Sequence, residues 1–194
     1  MYFCAACGVK NCANRIGEEG EYPKGCPSLS EKLPGYLEEY QEPLDLLLAQ
    51  KSAICAPDHS ECRLLKTIRF AKECGFHKIG LAFCIAVADE ARQVARIFRQ
   101  EGLEVESLMC KVGHIKRAAV GIPDNGNAMC NPIAQAEMLN EAGTELNVII
   151  GLCVGHDSLF IRHSKAPVTV LAAKDHVYDH APLEYLKHGD TDGK

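Results

Sequence analysis

The sequence predicts an α/β protein: a three-layer, Rossmann-like parallel sheet of about four strands, preceded by a cysteine-rich loop and a helical segment. Three observations carry that expectation. From His77 onward, short apolar runs alternate with longer runs of helical period, the pattern of strand–helix–strand crossovers. A length of 194 residues suits one α/β core. The apolar share of 47% and the charged share of 24% are those of an ordinary globular chain.

Residues 1–27 hold Cys4, Cys7, Cys12 and Cys26 among glycines and prolines, with little hydrophobic period. Such a segment needs something other than a packed core to hold its shape. Residues 28–76 read as helical. Pro34 and Pro43 divide "PGYLEEYQEPLDLLLAQ", with Leu37, Leu44, Leu47 and Leu48 as its apolar positions. In "APDHSECRLLKTIRFAKECGF", Asp58 and Glu61 read as a capping pair, Leu64, Leu65, Ile68 and Ala71 as the apolar face, and Gly75 as the stop.

Residues 77–194 form the predicted core and a C-terminal tail, continuous with the helical segment as one globular unit. "KIGLAFC" is the first strand. "AVADEARQVARIFRQEG" is a helix with Ala88, Ala91, Ala95 and Phe98 on one face, closed by Gly102. "LEVESLMC" is the second strand. In "CNPIAQAEMLNEAG", Asn131 caps a helix that starts at Pro132. "LNVIIGLC" is the third strand, "HDSLFIRHS" is one or two helical turns, and "APVTVLAAKD" is the fourth strand. The C-terminal "HAPLEYLKHGDTDGK" holds His180 and His188, and its last residues read as a frayed tail.

Composition narrows the function. A net charge of -5 and a pI near 5.9 argue against nucleic acid or an acidic membrane as partner. The short basic run "GHIKRAAVG" reads as a solvated surface. No apolar run is long enough to span a bilayer, and the N-terminus lacks the pattern of a signal peptide, so the expected location is the cytoplasm. Thiols stay reduced there, and the eleven cysteines, an odd number, are expected to serve metal or redox chemistry rather than disulfides. Dinucleotide, P-loop and serine-elbow motifs are missing, and "GIPDNGNAMCNP" reads as a flexible site loop.

The N-terminal spacing is C-x2-C-x4-C-x13-C-P. Four thiolates suit either zinc or an iron–sulfur cluster. One short pair followed by single cysteines at uneven distances, closing on Cys-Pro, leans toward a cluster of the [4Fe-4S] type, with zinc as the alternative. A second set falls on the predicted sheet. Cys84, Cys110 and Cys153 close three of the four strands, and Cys130 precedes a helix start. Strand C-termini of a parallel sheet share one edge, where ligands bind and helix N-termini favour thiolates. These four are candidate ligands of a second metal or cluster, and His156 and Asp157 are candidate proton carriers or ligands. A cysteine ending an apolar strand is also an ordinary small buried residue; recurrence at three strand ends favours a site. Cys55, Cys62 and Cys74 are expected to be packing.

"CAACGVKNC...GCP", "GLCVGHDSLF" and "APVTVLAAKDHVYDH" together resemble a prokaryotic family of cysteine-rich, uncharacterised metal-binding proteins of anaerobes. The resemblance spans nearly the whole chain and implies metal binding without a defined reaction. The early cysteines and "GLCVGHD" are also similar to segments of the hybrid-cluster protein and carbon monoxide dehydrogenase group. That similarity implies an electron-transfer cluster on Cys4, Cys7, Cys12 and Cys26, a second cluster on Cys84, Cys110, Cys130 and Cys153, and an electron-transfer partner. At 194 residues the sequence is far shorter than those enzymes, and their activity is not expected to carry over. Three functions are therefore expected to compete: an iron–sulfur redox protein, a zinc-stabilised small-molecule-binding module, and a metalloenzyme of the sheet-edge cysteines.

Overall fold

A computed structural model describes residues 2–18 and 20–188; the predicted frayed tail after His188 lies outside them. The chain forms two compact units, Met1–Ala53 and Ile54–Lys194.

In the first unit, 3-10 turns at Cys4–Ala6, Asn11–Ala13 and Pro27–Leu29 lead to helices α1 (Leu33–Glu38) and α2 (Pro43–Cys55), the last two residues of α2 being counted with the second unit. Both prolines act as expected: Pro34 sits in the first turn of α1, and Pro43 opens α2. No described residue from 2 to 53 is buried. Tyr36, Leu37, Tyr40 and Leu44 are all exposed. This unit therefore has little hydrophobic burial of its own to hold it together.

The second unit begins with α3 (Arg63–Glu73), which buries Thr67, Ile68 and Ala71. Asp58 does not cap it. The helix starts at Arg63 with Cys62 in the cap position. Asp58 instead closes a local turn by accepting the N–H and hydroxyl of Ser60, and both it and Glu61 pair with Arg69. The expected stop at Gly75 is present, with φ at +73°.

Four parallel strands follow: β1 (Lys78–Phe83), β2 (Glu104–Met109), β3 (Leu146–Ile150) and β4 (Val168–Ala172), in the order β2-β1-β3-β4. Helix α4 (Ala88–Gln100) connects β1 to β2, α5 (Pro132–Ala142) connects β2 to β3, and α6 (His156–His163) connects β3 to β4. The chain steps from β1 to β2, then returns past β1 to β3. Because such crossovers are right-handed, the reversal puts α4 and α5 on opposite faces. The predicted α/β sandwich is the observed fold.

The central strands are apolar because both faces are covered. Ile79, Leu81, Ala82 and all of β3 are buried, against Phe98 of α4, Leu139 of α5 and Phe160 of α6. One polar group is built into this core. Asn147 of β3 is fully buried, accepting from Thr144 (2.8 Å) and donating to Ser164 (2.8 Å). It has room because β1 carries Gly80 opposite it; a Cβ there would lie 2.0 Å from Asn147 Oδ1. At the two outer strands, arginines donate to backbone carbonyls: Arg99 to Val105 of β2 (3.0 Å) and Arg63 to Val170 of β4 (2.6 Å).

Candidate functional site

The reversal of strand order falls between β1 and β3. In open parallel sheets this is where a crevice opens at the strand C-termini. Cys84 follows β1 and Cys110 follows β2 directly; Cys153 comes three residues after β3 ends. Backbone bonds hold this edge together. Cys84 N–H donates to Ile150 O (3.1 Å), Cys110 N–H to Phe83 O (2.8 Å), and Asn131 N–H to Cys110 O (2.7 Å). The last of these seats Cys130 beside Cys110, and Asn131 caps α5 as expected by accepting the Ala134 N–H.

The side chains converge. Cys84 and Cys110 lie close enough to influence each other's titration, as do Cys110 and Cys130. A 3-10 turn at Ile85–Val87 directs its free N–H groups at the pair, Ala86 toward Cys84 Sγ (3.5 Å) and Ile85 toward Cys110. Lys174, just beyond β4, donates from Nζ to Cys84 Sγ at 2.7 Å and also feels the charge of Cys110 and Cys153.

The two buried thiols are driven in opposite directions. Burial pushes Cys84 up, but the Lys174 ammonium and the Ala86 N–H outweigh it, and the thiol ends below its ordinary value. Burial also pushes Cys110 up; the neighbouring charges of Cys84 and Cys130 add to it, and the Ile85 N–H offsets only part, leaving it at about 12. Lys174 is held above its ordinary value because its contact with Cys84 overcomes burial. The two thiols of the edge are thus biased in opposite senses, Cys84 toward the thiolate and Cys110 toward the protonated form.

His156 and Asp157 open α6 after Gly155, whose φ of +85° suits glycine. Their N–H groups bond Cys153 O, and the Asp157 carboxylate takes the Ser158 N–H (2.7 Å). Among the described residues no three His, Cys, Asp or Glu side chains gather as a metal ion requires.

In the first unit, Cys4 and Cys7 bracket a tight turn closed by Cys7 N–H to Cys4 O (3.1 Å). Backbone N–H groups of Lys10 and Val9 point at the Cys7 sulfur and hold its thiol below the ordinary value. Cys12 is exposed and Cys26 half-buried.

Three residues of the sheet edge carried no sequence signal that was read as one. Lys174 follows the apolar run "VTVLAA" as the cysteines follow theirs, so the same edge rule would have found it. Gln135 of α5 is fully buried and donates to Leu108 O (2.7 Å) and Phe83 O (3.4 Å), tying the ends of β2 and β1 together. His180 accepts the Asp175 N–H at Nδ1 (3.1 Å), and its ring lies against Gly151; nothing local in the sequence shows that return.

Fold and site together define a class: an α/β protein whose parallel sheet ends in clustered thiols at the strand reversal. The chain belongs to the family described as protein of unknown function DUF1847, whose model matches residues 26–171. It is 43% identical over 150 residues to the uncharacterized protein MJ0455 of Methanocaldococcus jannaschii, an alignment covering 74% of this chain and 77% of that one. The family span includes Cys26, Cys84, Cys110, Cys130 and Cys153.

Proposed function

We propose that this cysteine-rich protein binds metal through its first unit, as an iron–sulfur redox protein. The observation that carries the reading is a contrast within residues 2–53. No described residue there is buried, yet the segment holds four cysteines, and the Cys4–Cys7 turn already presents a sulfur with two backbone N–H groups aimed at it. Backbone N–H groups on sulfur stabilise thiolate, the form that ligates metal.

Cys4, Cys7, Cys12 and Cys26 are the proposed ligands, the last two joining the turn by loop closure. A [4Fe-4S] cluster held there supplies one-electron transfer, and the proposed partner is a redox protein. The chain's own contribution is to set the ligand turn, orient N–H groups on the sulfur and order residues 2–53 on binding.

The test is metal and acid-labile sulfide analysis of protein isolated without oxygen. About four irons per chain with absorption near 400 nm, lost in a Cys4→Ala/Cys7→Ala variant, is the expected result. One zinc per chain without that absorption would replace the redox reading with a zinc-stabilised module.

A further inference from the structure

We propose that Cys84 and Cys110 are a redox pair that closes to a reversible disulfide, reached by small-molecule disulfides through the half-buried Cys130. The proposal stands on the second unit alone and is independent of the N-terminal metal.

Register is the first support. Phe83 of β1 is matched with Met109 of β2, so Cys84 and Cys110 follow in step one residue past the two strands, where Cys110 N–H still bonds Phe83 O. Such strands run about 4.7–4.9 Å apart, inside the window of about 4.4–6.8 Å between Cα atoms that a disulfide spans. The two thiols are close enough to influence each other's titration. The second support is Lys174. Its ammonium lies 2.7 Å from Cys84 Sγ and stabilises Cys84 as attacking or departing thiolate. The third is access. Cys84 and Cys110 are buried, whereas Cys130, held beside Cys110 by the Asn131 N–H bond to Cys110 O, is half-buried.

The exchange balances. Cys130, as thiolate, attacks one sulfur of the small disulfide; its S–S bond breaks and one small thiolate leaves. Cys110 bonds the Cys130 sulfur and gives up its proton in the same step, by way of solvent to the departed small thiolate, as the second small thiolate is expelled. The Cys84 thiolate then attacks the Cys110 sulfur and returns Cys130 as thiolate. The protein loses two electrons and one proton; the disulfide becomes one thiol and one thiolate, which takes its proton from water. The ammonium of Lys174 favours Cys84 as the leaving group when the bond is reduced again, so this disulfide opens easily.

The test equilibrates the full-length, anaerobically isolated protein with reduced and oxidised glutathione at varied ratios. Samples are quenched in acid, alkylated in denaturant, and mapped by mass spectrometry. A Cys84–Cys110 linkage that grows with the oxidised fraction and reverses with the reduced one is expected. In Cys130→Ser the same linkage forms at least about tenfold more slowly. In Lys174→Met, checked for folding by circular dichroism, the linkage resists reduction, shifting the midpoint ratio at least about tenfold. Two free thiols at every ratio, a Cys110–Cys130 linkage as the end state, or metal that stays on Cys84 and Cys110 in a chain lacking Cys4 and Cys7 would overturn the proposal. N-terminal iron content is read separately, so either reading can fail without the other.

Discussion

Gly80 has little freedom to change. Its missing Cβ makes room for the buried Asn147 amide and its bonds to Thr144 and Ser164. Gly80→Ala is expected to cost about 1–3 kcal/mol of stability, the usual range for overpacking a core, measured by urea denaturation. Asp58 gives a prediction of a different kind. Its carboxyl is held down to about 2, first by the Ser60 hydroxyl and N–H and then by Arg69. A depressed carboxylate stabilises the fold above its ordinary range and loses that contribution as pH falls toward 2. Melting temperatures of wild type and Asp58→Asn should therefore differ modestly at pH 6 and converge as the pH is lowered to about 2; a gap that widens on acidification would refute the assignment. Reading Asp58 as a helix cap failed because a short side chain can bond either a helix start or its own turn, and Ser60 two residues on decided for the turn.

At the scale of elements, the apolar runs made β1 and β3 legible because both are covered on two faces and carry almost no polar positions. Helix α5 was legible at both ends, from Asn131-Pro132 to Gly143, which adopts φ +68°. Asn131→Ala should lower stability by about 1 kcal/mol, as loss of a helix cap does, and should also loosen Cys130 beside Cys110. Calorimetry reads the first effect and the rate of Cys130 alkylation the second. The cysteine part of the candidate site was visible because sheet edges collect whatever ends a strand. Lys174 and Gln135 were missed for opposite reasons. A lysine after a strand looks like solvent-facing charge, and a glutamine inside a helix looks like surface, yet Gln135 is fully buried.

For the whole molecule, the contrast between the units sets the expectations. Unit Ile54–Lys194 buries a continuous apolar core, whereas no described residue of 2–53 is buried. Chelating the proposed metal should therefore open residues 2–53 to limited proteolysis while the sheet remains protected, as hydrogen exchange would show. Equal loss of protection in both units would count against a metal that orders the first alone. Such a division was only partly legible. The change of texture after residue 27 marked a segment short of core, but exposed leucines in a helical pattern look the same in sequence as buried ones. The arginines at the two outer strands carry a last consequence. Unpaired carbonyls on an outer strand invite a further strand from another chain, and Arg63 and Arg99 occupy Val170 O and Val105 O. Arg63→Ala/Arg99→Ala should therefore fold to the same sheet yet form β-rich aggregates at concentrations where the wild type stays dispersed by light scattering.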